Sequence, residues 1–441
     1  MMRSMYASVS GLKAHQARMD VIGNNIANVN TIGFRASRVA FQEIFSQTLK
    51  GASAPDPTLG RGGTNPMQVG LGIGIGAIDT ITSRGGLQRT DNPTDIYIDG
   101  EGFFIVKASH GDTYKFTRAG NFTIDELGNL VTPGGLCVYG WLDYGGKADM
   151  DGNYVFDTNK PCEPINLYTD DYNGNKKIVA AKATENIKLS GNLDATTEIF
   201  DPGGSGDAQF IVPVIVYDSL GIEYEINIEF RKTGATGGIT TWEWRATSGD
   251  LSSAASGTIQ FDADGKIVKA VGQDRVTSVI TLIPDDSIGS EQFDVTLDFT
   301  NVTMYAGSED SVKPINVDGY PSGSLTYFSI GSDGIIMGVY SNGKQQPLGL
   351  IGLANFDNPA GLQRVGDNLY IPTSNSGDFQ RAVKPGTASA GVLNPGVLEM
   401  SNVDLAKEFT EMIVTQRGFQ ANSRILTTVD EMLQEMVNMK R

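Results

Sequence analysis

The run Leu405-Ala-Lys-Glu-Phe-Thr-Glu-Met-Ile-Val-Thr-Gln-Arg-Gly-Phe-Gln-Ala-Asn-Ser-Arg-Ile-Leu426 carries the most regular pattern in the chain. Leu405, Met412, Phe419, Leu426 and Leu433 recur every seven residues, and Phe409, Val429 and Met436 fill most companion positions three or four residues along. No Pro occurs between Ser401 and Arg441. That period predicts one long helix with an apolar stripe. Gly418 is its one weak helix former, at a cost of about 1 kcal/mol relative to Ala.

The other end of the chain repeats the device. Met5, Leu12, Met19 and Ile26 keep the same spacing, with Val9, Ile22 and Val29 beside them. Asn28, Asn30, Thr31 and Gly33 then close the helix, because Asn and Gly favour caps and turns. Phe41, Ile44, Phe45 and Leu49 suggest a second, shorter helix. Both stripes adjoin loop-rich sequence, so each must bury its seam on the opposite terminus or on other copies of the chain.

Between the helical ends the pattern is β. Residues 51–76 hold Pro55, Pro57, Pro66 and many Gly, and read as an irregular connection. Gly70-Leu-Gly-Ile-Gly-Ile-Gly76 is no phosphate loop, since a dinucleotide fingerprint needs a strand before it and a helix after it. It reads as extended chain leading into a strand. From Ile96 to about Pro395 short alternating runs such as Phe210–Val216 and Tyr224–Phe230 are separated by Asp-Gly and Asn-Gly steps, among them Asp264-Gly265, Asp333-Gly334 and Asn342-Gly343. Such steps are strong hairpin signals, and imply type I′ turns. The expected fold is mainly β with long α-helical termini, its discontinuous β domains nested between coiled-coil-like N- and C-terminal helices. The expected divisions are 1–50 with 400–441 as a helical domain, 51–76 as a connection, 77–145 with 326–399 as a discontinuous β domain, and 146–325 as an inserted outer β domain.

Composition excludes much chemistry. Among 441 residues, 51 acidic against 34 basic side chains give a net charge of −17, unsuited to a nucleic-acid backbone. The only imidazoles are His15 and His110 and the only thiols Cys137 and Cys162, too few for a zinc set of the usual spacing. Cys137 reads as a small hydrophobe in a strand and Cys162 as exposed, both free. Asp149, Asp151 and Gly152, like Asp262, Asp264 and Gly265, lack the register of a calcium loop and read as turns. No GxSxG elbow or P-loop occurs. The expectation is no catalytic residue, no metal, no cofactor, no nucleic acid and no small-molecule substrate. The first twenty residues lack the apolar stretch of a cleavable secretory signal, which suggests a cytosolic chain or export by another route.

Three groups of residues carry a resemblance. Asn24-Asn-Ile-Ala-Asn-Val-Asn-Thr-Ile-Gly-Phe-Arg35 is similar to the N-terminal signature of the bacterial flagellar rod and hook family. Ser401-Asn-Val-Asp-Leu-Ala-Lys-Glu408 with Gln416-Arg-Gly-Phe-Gln-Ala-Asn-Ser-Arg424 resembles its C-terminal signature. Asp99–Val106 and Thr117–Thr123 look like the β domain its members share, while Val216–Gly221, Phe261–Lys266 and Tyr340–Gly343 resemble the hook rather than the rod branch. The resemblance makes Asn24, Asn25, Asn28, Thr31, Gly33, Phe34, Ser401, Asn402, Val403, Asp404, Gln416, Arg417, Gln420 and Asn422 the motif residues. It implies a hook subunit that self-assembles into a curved hollow tube acting as a universal joint, with a distal rod or hook-like paralogue as the alternative. Implied partners are other copies of the chain, a distal rod protein, a hook cap (scaffold) protein, a hook–filament junction protein and the flagellar export apparatus. The implied location is extracellular, reached by type III export without a cleaved signal.

Overall fold

The structure is a computed structural model that describes residues 2–439 apart from 55–61, 109–112, 146–153, 173, 201–208, 249–254, 270–273, 285–288, 308 and 388–389. His110, Asp149, Asp151 and Gly152 lie outside the described residues. The fold is mainly β with a helix at each end of the chain, and it divides into two compact units. The first comprises Met1–Gly174, Phe328–Met337 and Pro347–Arg441, the second Asn175–Tyr327 and Gly338–Gln346.

In the first unit, helix α1 runs Met2–Ala27 and helix α2 runs Leu405–Asn438. Asp404 caps α2, its carboxylate accepting from the amides of Ala406 at 2.9 Å and Lys407 at 3.3 Å, which satisfies two of the donors that a helix start leaves unpaired. After α1 the chain forms an arm of four strands: β1 (Ser37–Glu43), β2 (Ser46–Lys50), β3 (Met67–Gly70) and β4 (Ile73–Thr80). β1 pairs antiparallel with β4, from Ser37 opposite Thr80 to Glu43 opposite Ile73, with a bulge at Ala40/Phe41, and β2 pairs with β3.

The expected helix over Phe41, Ile44, Phe45 and Leu49 is therefore incorrect. Its apolar spacing fits a helix, yet the alternating Gly-Ile stretch at 73–76 offers a pairing edge that local periodicity ignores. The same pairing shortens the expected irregular connection, since β3 and β4 lie largely inside residues 51–76.

The β body of this unit is built on β7 (Phe103–Lys107) and β8 (Lys115–Thr117), which follow β5 (Leu87–Arg89) and β6 (Ile96–Asp99). Strand Cys137–Trp141 flanks β7, and Leu369–Ile371 with Gln363–Gly366 continue beyond β8. Its core gathers Phe103, Ile105, Phe116, Tyr139, Trp141, Leu350 and Phe356. Phe116 meets Phe356 edge-on with ring centroids 4.8 Å apart.

The second unit is a sandwich of two four-stranded sheets. One is a meander of Phe210–Tyr217, Glu223–Thr236, Ile239–Thr247 and Ala255–Phe261. The other has the order Thr277–Leu282, Phe293–Tyr305, Asn186–Asp194, Lys313–Val317, with Asn186–Asp194 parallel to Phe293–Tyr305. Alternation puts Tyr224, Ile226, Ile228 and Phe230 inside and the intervening Glu225, Asn227 and Glu229 outward. The sheets share one core, where Phe299 packs on Trp244 and Phe230 at centroid distances of 5.5 and 6.2 Å.

The turns differ from expectation in type. Gly265, Gly334 and Gly343 take positive φ, while Asp264, Asp333 and Asn342 do not. A type I′ turn needs both; here a side chain of the turn instead accepts a backbone amide, as Asn342 Oδ1 does from Lys344 at 3.0 Å and Asp333 Oδ1 from Ile335 at 3.2 Å. Two adjacent positive φ values occur at Asp367 and Asn368, joining Gln363–Gly366 to Leu369–Ile371. Asp262 spends its carboxylate on the amides of Asp264 and Lys266, at 3.0 and 2.8 Å, inside its turn.

Candidate assembly site at the chain ends

Helices α1 and α2 pack antiparallel. A Cβ on Gly11 would meet Nδ2 of Asn422 at 2.8 Å, the ring of His15 lies over Gly418, and Arg18 pairs with Glu411 at 3.0 Å. The buried residues of α1 are Ser8, Gly11, Ala14, Ile22 and Asn25, and those of α2 are Glu408, Thr415 and Val429. Small residues at helical spacing let the two backbones approach closely. Thr415 returns its hydroxyl to Glu411 O at 2.7 Å, so the face buries no free donor there.

The predicted seams occupy a different position. Ile22 is buried, Met5, Leu12, Met19 and Ile26 on α1 are half-buried, and so is Val29 just beyond its end. On α2, Met412, Phe419, Leu426 and Leu433 are half-buried, whereas Leu405 and Phe409 are exposed, with Ile413 beside them at 59%. The apolar stripe is thus only partly used within one chain.

The arm lies along α1. Phe41 of β1 meets His15 at 5.6 Å between ring centroids and the Arg18 guanidinium at 5.6 Å, and the Ile73 amide donates to Ser10 Oγ at 3.3 Å. His15 is consequently enclosed by three elements, and its Nδ1 has no hydrogen-bond partner among the described residues. Burial, then the neighbouring Arg18 charge, pushes the imidazole below its usual range, so the ring is held neutral. Burial pushes the Glu408 carboxyl up, opposed by a hydrogen bond from Asn25.

Motif residues converge where both helices leave the β body. Asn25, 1% exposed, ties the end of α1 to the start of β1: it donates to Ser37 O at 2.8 Å and accepts from the Ser37 amide at 3.0 Å. Asn402 bridges three segments, accepting from the Ala36 amide at 2.7 Å and donating to Ile81 O and Ser83 O at 3.0 Å each. Gly33 donates to Glu399 O at 2.8 Å with φ +68°, and a Cβ there would lie 2.9 Å from the Ala119 amide nitrogen. Only glycine fits both constraints. Phe34 is buried under the Arg364 guanidinium, 5.2 Å from its ring.

The remaining motif residues are local. Asn28 donates to Asn24 O at 2.9 Å and accepts from Thr31 Oγ1 at 3.1 Å, closing the first helix. Ser401 Oγ accepts from the Val403 amide at 3.3 Å ahead of Asp404. Gln416, Arg417 and Gln420 are exposed on α2, and Asn422 turns inward to Gly11.

Sequence reasoning missed the ions at the centre of this junction. Glu399, 1% exposed, pairs with Arg35 at 2.8 Å and stands 3.7 Å from Arg118, itself nearly buried. Burial first, then the charge of Arg35, lowers Arg118 to about 10, against the opposing pull of Glu399. None of the three lies in a helical period, but Arg35 falls inside the signature stretch 24–35 and Arg118 inside 117–123. The small-residue face could have been found from Ser8, Gly11 and Ala14, which share α1 spacing with no apolar weight. Cys137 and Cys162 are free. Cys162 is half-buried rather than exposed, and burial raises its thiol to about 11.

Comparison with known proteins follows the same segments. Residues 5–35 match the family described as Flagella basal body rod protein, and 97–187 the Flagellar hook protein FlgE/F/G D1 domain. Residues 188–320 match the Flagellar basal body protein FlaE D2 domain, and 394–439 the Flagellar basal body rod FlgEFG protein C-terminal. The chain is 40% identical to the flagellar hook protein FlgE of Borreliella burgdorferi, with both chains covered completely. It is 32% identical to the flagellar basal-body rod protein FlgG of Bacillus subtilis, again over all of both chains. The crystal structure of the Helicobacter pylori flagellar hook protein FlgE2 is 15% identical, with a TM-score of 0.48 over 70% of this chain and 99% of that one. With its paired terminal helices, its glycine- and asparagine-built junction and full-length likeness to such proteins, the chain belongs to the flagellar rod and hook family, whose members are structural proteins and not enzymes.

Proposed function

We propose that this chain is the structural subunit of the bacterial flagellar hook, polymerising into a curved hollow tube that joins rod to filament as a universal joint. The observation that carries the reading is the use of a small, polar face for pairing α1 with α2. It leaves Leu405, Phe409 and Ile413 exposed, 40 to 59% accessible, for burial against other copies. The helices then form the inner wall in a coiled-coil-like arrangement between copies. The β body of the first unit, which runs to Gly174, supplies one β domain of the subunit, and the two-sheet sandwich of the second unit another.

In this reading the neighbours are a distal rod protein, a hook cap protein that scaffolds growth and a hook–filament junction protein. The chain reaches the cell exterior through the flagellar type III apparatus without a cleaved signal. Unequal charge supports it: residues 1–40 carry net +4 and residues 400–441 net −1, so the acidity lies on the β middle, which carries −20 and gains solubility from it.

Purified protein should polymerise into tubes visible by electron microscopy, and deletion of residues 405–441 should leave a soluble, folded monomer. Tubes from the truncated chain would contradict the terminal-helix arrangement. The full-length likeness to a rod protein favours a second reading, a distal rod or hook-like paralogue. Cells lacking the chain decide between them: basal bodies with complete rods and no hook support the first, and truncated rods the second.

A further inference from the structure

Three charged side chains line one small cavity in the junction, and a fourth, Glu399, pairs with one of them. The cavity, of about 70 Å3, is lined by Arg35, Glu101 and Arg118 together with Thr80, Thr82 and Tyr370. Glu399 stands beside it, with its carboxylate used unevenly. Its Oε1 accepts from Arg35 at 2.8 Å and from the Gly85 amide at 3.2 Å. Its Oε2 has no hydrogen bond among the described residues, and Arg118 Nη1 stops 3.7 Å short of it.

Arg118 is also incompletely used. Its terminal nitrogens donate to Gly100 O at 2.8 Å and, weakly, to Ile98 O at 3.4 Å, and its Nε has no partner among the described residues. Two buried groups of opposite sign, 1% and 7% exposed, thus each keep an unused atom while lying within 4 Å of one another. In a low-dielectric interior such atoms favour any rearrangement that pairs them. Glu101 is exposed and makes no ion pair among the described residues, yet it lines the same cavity as Arg35.

We propose that these side chains form a two-position ionic hinge. In the position described, Arg35 holds Glu399. In the other, Arg35 crosses the cavity to Glu101 and Glu399 takes up Arg118. The second position gives up the hydrogen bond that Arg35 also makes to Ser83 O, but neither position strands a buried charge, and arrangements of a buried network that keep their charges paired can lie close in free energy. The cavity supplies the room, since closely packed side chains exchange places only through a void.

The exchange has a mechanical meaning fixed by where the residues sit. Arg35 is on the segment leaving α1, and Glu399 ends the strand Val397–Glu399 that precedes α2. Arg118 and Glu101 belong to the β body. The first position ties the two helix-bound segments to each other, and the second ties each of them to the β body. Within a curved tube, whose copies stand in unequal surroundings, such an element lets one sequence serve both the compressed and the extended side; that use rests on the hook reading, whereas the hinge itself does not.

The test is relaxation-dispersion NMR of the arginine Nε–H groups in the full chain, with Glu101→Gln as the variant. Glu101 is exposed, so the variant should melt with the wild type. Arg35 and Arg118 should show exchange, as dispersion or as doubled signals, and Glu101→Gln should remove it. A single unexchanging state in the wild type, or exchange that survives the substitution, overturns the hinge. Assembled tubes give the second arm: Glu101→Gln should yield tubes of lower or uniform curvature, and unchanged curvature counts against the hinge's role there. If neither protein forms tubes, the hook reading fails while the NMR result still decides the hinge.

Discussion

The imidazole of His15 fills the space that a side chain at Gly418 would need: a Cβ built on Gly418 lies 2.7 Å from Cε1 and 2.8 Å from Nε2 of that ring. Glycine inside a helix normally weakens it, so the cost read from the sequence at this position is the condition for seating the ring. Gly418→Ala should gain about 1 kcal/mol of helix propensity and lose about 1–3 kcal/mol to overpacking. Net weakening of the helix pair is expected, read as faster amide hydrogen exchange in α1 and α2. His15→Ala in the same chain should restore protection; no rescue would mean the ring is not the obstacle.

The same ring gives the pair a pH dependence whose sign can be worked out. His15 has a folded pKa below its unfolded value of about 6.5. Its contribution is therefore fully present above pH 6.5 and is lost as pH falls toward the lowered value, because separated helices take a proton that the pair refuses. Arg18 on α1, paired with Glu411 of α2, adds to the refusal. Glu408 acts in the opposite sense, its raised pKa giving stability that is present at acid pH and lost as pH rises through the raised value. Hydrogen exchange between pH 7.5 and 5.5 should show falling protection in the wild type and a flatter profile in His15→Gln. Parallel profiles would remove His15 from the account.

Gly33 offers a test that separates conformation from space. Alanine at φ +68° costs about 1–2 kcal/mol, and its Cβ would also press on the backbone of Arg118 and Ala119. Asparagine tolerates positive φ but not that approach. Both Gly33→Ala and Gly33→Asn should lower the melting temperature of the first unit, by about 2–4 °C per kcal/mol. Full tolerance of Asn would show that φ alone selects glycine.

Phe409 and Ile413 separate stability from assembly. Both are exposed in the single chain, so Phe409→Ser and Ile413→Ser should change its stability by no more than about 0.5 kcal/mol while raising the concentration needed to form tubes. Met412→Ala and Phe419→Ala, half-buried already, should weaken assembly by about 2–4 kcal/mol each if neighbouring copies complete their burial. Sedimentation of polymer against monomer measures both.

The helices, their ends and the β middle were legible because each rests on periodicity or on cap and turn residues, which act within a few positions. Residues 37–50 misled because Phe41, Ile44, Phe45 and Leu49 have helical spacing while their partner strands begin at Met67 and Ile73. The hairpins were legible as hairpins and not as a turn type, since a side-chain acceptor such as Asn342 replaces the second positive φ. At the junction, the motif asparagines and Gly33 were visible as a signature but not as a bridge. Arg35, Arg118 and Glu399 stand far apart in sequence, and nothing local marks them as neighbours.

Arg18 and Glu411 meet across 393 residues of chain. For a flexible chain, closing a loop of that length costs about 5 kcal/mol of entropy before any contact repays it. Hairpins such as Gln363–Gly366 with Leu369–Ile371 close over two residues. Folding should therefore begin in the β bodies, each of which shortens the remaining loop, and end with the helices finding one another. The pairing of the two chain ends should be the last to form and the first to open, so a newly made chain is expected to pass through a stage with finished β bodies and unjoined ends.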